Sequence, residues 1–402
     1  MKKIVLIGLA MFTPILMAKD LLKSINVLDR TVLPMTESAA LTAQVNAHLF
    51  LDGSTEFGIH LPGGGYESLV LDDLKVRSNN NFTWVGRFKG HPESSVSFAY
   101  VNGYISGVAF NDRETFEFMP QAKDQIRIAS LLTDAFAECE VDEVSDTALP
   151  VSNQKIPTTP SGSTDTLDVM VIYTPQARDA AGGVSGIEAT AQAAVDAMNL
   201  SFDNSNVDAE AKISYVGLAN YNDSGSSSES LTWVRSDPTV AQLRTAYGAD
   251  MVSLLSNDIG GSCGRGYVMQ SPGAGFESFA YQVTSRSCAV GNLSFAHEFG
   301  HNMGLEHNPE NSSTDPMNAS NPWSFGHYHN NEYRTVMSYS AQCANGCSRR
   351  QYFSNPDVQY LGLDTGIADT RDNARTLRQT AGIVAAFRPE ANDTIFEDGY
   401  EG

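Results

Sequence analysis

Basic residues are scarce in this chain. Lysine and arginine number 26 against 47 aspartates and glutamates over 402 residues, a formal net charge of -21. A surface that acidic repels a phosphate backbone, so nucleic acid is excluded as a partner. Long apolar runs are missing beyond the first twenty residues, and no later stretch is long enough to span a membrane. No internal repeat is visible. Cysteine is limited to five residues and histidine to eight, so any cluster of either carries weight. What is present is a hydrophobic fraction of 42%, enough for a sizeable core and against global disorder.

The N-terminus reads as a targeting segment. Lys2 and Lys3 precede the apolar run Ile4 to Met17, which is too short and wrongly flanked for a membrane span. Residues 1–18 are expected to be a secretory signal peptide, and the protein to be secreted. Export places the cysteines in an oxidising compartment, where an odd count leaves one thiol to explain. Residues 19–139 read as a β-rich unit. Its clearest piece is a hairpin from Val96 to Phe110 turning at Asn102-Gly103, a pair that tolerates the positive φ of a type I′ turn. Thr115 to Met119 is expected to add a strand stopped by Pro120.

Residues 140–166 trade alternation for Glu, Asp, Ser and Thr with Pro150, Pro157 and Pro160. That composition is expected of an exposed linker open to processing. Residues 167–388 alternate strand and helix signals, an α/β pattern on one mixed sheet. Leu167 to Thr174, Ile213 to Leu218, Met251 to Leu255 and Phe279 to Thr284 are strand candidates. Helices are expected over Gly186 to Leu200, about Val240 to Tyr247, and around Leu377, Ala381, Val384 and Phe387. Residues 389–402 form an acidic tail.

The chemistry is concentrated in residues 297–307, His-Glu-Phe-Gly-His-Asn-Met-Gly-Leu-Glu-His. His297 and His301, four apart on a helix, share one face and can share one cation. Glu298 lies beside them, placed to reach a water on that cation. Gly304 can take the left-handed conformation that ends a helix, turning the chain so that His307 becomes a third ligand. Three neutral imidazoles with an open fourth position describe a catalytic Zn2+ site; a structural site is closed and favours cysteine.

This sequence resembles the metzincin clan of zinc peptidases, whose long histidine motif is followed by a methionine turn. Arg334-Thr335-Val336-Met337-Ser338-Tyr339 is similar to that turn, which implies that Met337 packs beneath the zinc. The spacing of Tyr339 resembles astacins and serralysins, where the tyrosine serves as an extra ligand and stabilises the transition state. Asn308, after the third histidine, matches neither the acidic residue of adamalysins and astacins nor the proline of serralysins. Gly90-His-Pro-Glu-Ser-Ser-Val-Ser, then Gly103-Tyr-Ile-Ser-Gly107, Phe116 and Pro120, resembles a reprolysin propeptide. Bacterial reprolysin-like secreted proteases are the nearest group. The resemblance implies a catalytic domain with a mixed, mostly parallel five-stranded sheet, an active-site helix and a C-terminal helix, preceded by a β-rich propeptide.

It also implies peptide-bond hydrolysis in protein or peptide substrates. Water is activated by the metal, Glu298 acts as general base, and the oxyanion is met by zinc and Tyr339. Substrate is expected along an edge strand near Arg265 to Gln270, with the Gly-rich stretch 260–266 forming a bulge. The pocket wall is expected at Tyr352 to Pro356. Disulfides Cys263–Cys288 and Cys343–Cys347 would leave Cys139 free. Cys139 then has two readings, a propeptide thiolate that caps the zinc in the latent form, or a disulfide partner or incidental thiol. His327 and His329, in Gly-His-Tyr-His, have two readings, a second metal site or a solvated loop, of which the loop is preferred. Competing functions are a non-catalytic zinc-binding adhesive protein and a zinc hydrolase of a non-peptide amide; Glu298 speaks against the first and the methionine turn against the second.

Overall fold

The computed structural model describes residues 19–144 and 164–389. The expected signal peptide, most of the expected linker and the acidic tail lie outside the described residues. No described helix is long and apolar enough to cross a membrane.

The β-rich unit is one ten-stranded sheet. Its order is Lys19–Asp20, Glu56–His60, Tyr66–Ser78, Asn81–Phe88, Ser95–Val101, Tyr104–Phe110, Thr115–Ala122, Gln125–Leu131, Glu37–Val45 and Leu22–Val27. The hairpin expected at Asn102-Gly103 pairs Val101 with Tyr104 and Ser95 with Phe110. Asn102 and Gly103 take φ of 51° and 93°, as a type I′ turn demands. Pro120 does not stop its strand, contrary to expectation. Past Phe118 the strand is no longer paired with Tyr104–Phe110, and Pro120 faces Ile126 beside a register shift. A bulge with one free side is where a strand tolerates proline. Phe57, Trp84, Phe98 and Phe118 form the core of this unit, with successive ring centroids 4.9, 5.7 and 4.7 Å apart.

The second sheet has six strands in the order Glu140–Glu143, Gly264–Val268, Tyr281–Ser285, Met251–Ser256, Asp165–Tyr173 and Ala209–Leu218. All neighbours are parallel except Gly264–Val268 with Tyr281–Ser285. Five strands come from residues 165–285. The sixth, Glu140–Glu143, begins the stretch expected to be linker. Its alternating acidic side chains do not announce a strand, and it acquires strand structure only by pairing with Gly264–Val268. Asp165–Tyr173 likewise starts inside the expected linker.

The helix expected over Gly186 to Leu200 runs Val184–Asn204 and lies between the two sheets. It is buried on nearly every face, with Ile187, Ala191, Ala194, Val195 and Met198 all at 0% exposure. Ala99, Val108 and Phe110 of the first sheet join the same core cluster. An alanine-rich surface lets both sheets approach closely, and Asp196 on the helix pairs with Arg77 of the first sheet at 3.1 Å. The C-terminal helix is Asn373–Val384, capped by Asp372, which accepts from the Arg375 amide; Leu377, Ala381 and Val384 face the core.

Candidate active site

The helix Ser294–Asn302 is buried throughout its length. Its end is tied to the sheet by Asn302, whose amide donates to the carbonyls of Tyr267 at 2.8 Å and Tyr281 at 3.2 Å. Gly304 follows with φ of 91°, the left-handed turn expected of it, and the chain folds back to His307. The Nε2 atoms of His297, His301 and His307 form a triangle with edges of 3.1, 3.1 and 3.2 Å. Nitrogens at about 2.0–2.1 Å from a tetrahedral zinc are separated by roughly 3.3–3.4 Å, so the triangle fits such an ion with little adjustment.

The ring orientations are fixed from behind. His297 Nδ1 lies 2.9 Å from the Val336 carbonyl and His301 Nδ1 lies 2.8 Å from the Leu305 carbonyl. A carbonyl can only accept, so each Nδ1 carries the proton and each Nε2 lone pair points into the triangle. Burial pushes the His301 imidazole down to about 4. Burial also holds His297 and His307 well below the usual range, reinforced by the neighbouring His301. All three are therefore neutral at pH 7, as metal ligands must be.

Glu298 is fully buried, and among the described residues only the Cys139 thiol stands beside its carboxyl as a donor. Burial raises its carboxyl to about 8. A buried carboxyl beside three convergent imidazoles, with no partner from its own unit, calls for a functional explanation. Its room is made by the edge strand. A Cβ on Gly264 would lie 2.5 Å from Glu298 Oε1, and one on Gly266 3.1 Å from Oε2. Gly264 and Gly266 thus serve the carboxyl, and their pairing with Tyr281–Ser285 shows no bulge. The edge itself is Gly264–Val268, shorter than the expected Arg265 to Gln270.

Met337 lies under the histidine helix, where a Cβ on Gly300 would come within 2.5 Å of its sulfur. The first glycine of the motif, Gly300, is therefore required by this contact, which spacing alone did not disclose. Gly300→Ala should force Met337 aside and cost about 1–3 kcal/mol, the usual range for overpacking. Urea unfolding checks this, and an unchanged midpoint would mean that the contact is loose. Asn308 ties the third-histidine loop to the turn, its Oδ1 accepting from the Tyr339 amide at 3.0 Å. The Tyr339 ring lies 4.1 Å from the His307 ring. Its hydroxyl donates to the Cys139 carbonyl.

Cys263–Cys288 and Cys343–Cys347 are disulfides, and Cys139 is a free, buried thiol. The Cys139 sulfur, a His297 nitrogen and a Glu298 oxygen lie within 4.8 Å of one another. Burial holds this thiol well above its usual range, and the Glu298 charge adds to the effect. One expectation needs correction, and a second gains detail. Tyr352 to Pro356 lies directly behind the methionine turn. The Tyr352 carbonyl accepts from the Val336 amide, Phe353 stacks on Phe202, and Asn355 donates to the Ser205 carbonyl. Those bonds draw the segment toward the long helix. His327 is buried rather than solvated, its ring 4.9 Å from His329.

A sequence model of the Metallo-peptidase family M12 matches residues 163–354. The chain is 28% identical over 377 residues to a peptidyl-Asp metalloendopeptidase of Stenotrophomonas maltophilia, covering 89% of this chain and 87% of that protein. It is 33% identical over 233 residues to a peptidyl-Asp metalloendopeptidase of Xanthomonas campestris, covering 57% of this chain and 53% of that protein. Among solved structures, metalloproteinase-II from Bacteroides fragilis overlays 65% of this chain and 84% of its own, with a TM-score of 0.39 and 14% identity.

Proposed function

This chain is a reprolysin-like metalloendopeptidase, and from that premise we propose that it is a secreted, zinc-dependent enzyme that cuts protein substrates at aspartate and is made latent by its own N-terminal unit. The catalytic unit, residues 167–388, is read as a metzincin domain, residues 19–139 as its propeptide and residues 1–18 as its signal peptide. The observation that carries the reading is the convergence of three neutral imidazoles on one point beside a buried carboxyl that no donor of the catalytic unit reaches. A non-catalytic zinc site has no use for that carboxylate.

His297, His301 and His307 would hold the ion. Bound zinc supplies Lewis acidity, lowering the pKa of a coordinated water to about 7 and polarising a carbonyl. Glu298 takes the proton of the attacking water and delivers it to the leaving amine. The Tyr339 hydroxyl, relieved of the Cys139 carbonyl, donates to the developing oxyanion. An extended substrate adds to the edge strand Gly264–Val268, whose backbone groups supply the ladder.

That edge is taken in this structure. Glu140 pairs with Arg265 and Glu143 with Val268, and Arg265 forms ion pairs with Glu140 at 2.6 Å and Asp142 at 2.5 Å. A substrate cannot pair with the same backbone, which supports the latent-precursor reading. Chelation of the matured enzyme is expected to abolish hydrolysis of a quenched peptide, and stoichiometric zinc to restore it. Metal analysis that finds no zinc in a fully active preparation overturns the reading.

A further inference from the structure

Two arginines lie buried behind the methionine turn. Arg334 and Arg349 are each 1% exposed. Both donate to the Ser338 carbonyl, at 2.8 and 3.4 Å, and Arg349 also donates to the Asn292 carbonyl at 2.9 Å. The Nε of each makes no hydrogen bond among the described residues. Buried guanidinium groups are costly unless they are paired. Here the pairing comes from the N-terminal unit. Arg334 donates to the Thr133 carbonyl at 2.9 Å and lies 3.8 Å from Asp134, while Arg349 lies 3.8 Å from Glu138 Oε2. Glu138 Oε1 accepts from the Ser340 amide and hydroxyl, each at 3.1 Å. One carboxylate is thus cradled by two donors on one oxygen and a cation facing the other.

The cradle sits one residue from Cys139, which lies beside His297 and Glu298. Ser340 is three residues past Met337. Its position along the cleft follows from strand direction. Glu140–Glu143 runs parallel to Gly264–Val268, so residues 138–143 cross the site in one sense. Antiparallel pairing is the stabler ladder, and a substrate that adopts it runs the other way. The residue after its cleaved bond then lies where Glu138 lies now.

Resting on the metalloendopeptidase reading, we infer that Arg349 and Ser340 anchor the acidic side chain of the substrate residue that follows the cleaved bond, and that Glu138 fills this anchor in the uncut chain. When the N-terminal segment leaves, Arg349 loses its carboxylate and the acidic side chain of a substrate replaces it. The anchor is chemically matched to aspartate and mismatched to asparagine, alanine or lysine. Its cation is local, set in a chain of net charge -21 that offers acidic substrates no general attraction.

The test uses the matured secreted enzyme and quenched peptides identical except at the residue after the cleaved bond: Asp, Asn or Ala. The wild type is expected to favour Asp over Asn by roughly 100-fold or more in kcat/KM, the scale of a desolvated charge pair. Arg349→Met is expected to bring that ratio to within about tenfold of unity. A folded Arg349→Met enzyme, with both disulfides and full zinc content, that keeps the wild-type ratio overturns the inference. So does a wild type that cuts all three peptides alike, a result that leaves the peptidase reading standing. A zinc-loaded wild type that cuts none of them strikes at the peptidase reading instead. Should Arg349→Met not fold, the uncut chain decides. Glu138→Gln is expected to speed iodoacetamide alkylation of Cys139 at least about tenfold, and Glu138→Asp to restore protection. Unchanged alkylation in Glu138→Gln overturns the anchor.

Discussion

Glu298→Gln is expected to lower kcat by roughly 10³-fold, within the usual 10²–10⁴ span for loss of a general acid–base group, while zinc content and fold stay as in the wild type. Glutamine matches glutamate in shape and so fills the space left by Gly264 and Gly266. It cannot take up a proton. The substitution leaves the three imidazoles and their carbonyl partners at Val336 and Leu305 untouched. Zinc stoichiometry and near-ultraviolet circular dichroism verify the fold, and steady-state hydrolysis of the aspartyl peptide gives the rate. A variant turning over at close to the wild-type rate would remove Glu298 from the mechanism, and with it the assignment of the water's proton.

The second large effect concerns latency. Cys139→Ser is expected to raise the activity of the uncut precursor by roughly 10- to 100-fold, because a hydroxyl is a much poorer zinc ligand than a thiolate. The variant keeps the other attachments of the segment: the strand Glu140–Glu143, the Arg265 ion pairs, the Glu138 cradle and the Tyr339 bond to the residue 139 carbonyl. It therefore isolates the contribution of the sulfur from blockade by bulk. Thiol-reactive mercurials should activate the wild-type precursor and leave the variant unaffected. Equal activity of both precursors toward a quenched peptide, measured before any cleavage, sinks the cysteine switch and leaves steric cover of the edge strand as the whole of the inhibition.

The residues that hold the chemistry were legible because their geometry is local. One helical turn sets His297 above His301, and one left-handed glycine brings His307 around; no distant contact is needed to argue either. The hairpin at Asn102-Gly103 was legible for the same reason. Spacing also implied the methionine turn through family resemblance, and in the structure Met337 packs against Gly300. The packing behind the methionine turn was not legible. Residues 339–356 carry no periodic pattern, and which of them faces the cleft depends on bonds to Phe202, Ser205 and Thr133, up to more than two hundred positions away. Arg349 was passed over because a lone arginine reads as surface charge, and its burial has no signature within its own segment.

The long helix separates the two kinds of information most plainly. By itself the sequence determined that Gly186 to Leu200 is helical, that residues 297–307 can gather a metal, that the first sheet turns at Asn102-Gly103, and that a family of metallopeptidases is the right comparison. These follow from dihedral preferences and from the reach of a few residues. Only the tertiary structure decided that both faces of that helix are covered, that Glu140–Glu143 becomes a strand, that Glu298 has room because two glycines lie opposite it, and that Glu138 meets Arg349. Each of those is a pairing between segments far apart in the chain. Local preferences state what a segment can do, but its partner is chosen by the free energy of burying both segments together, which neither sequence contains alone.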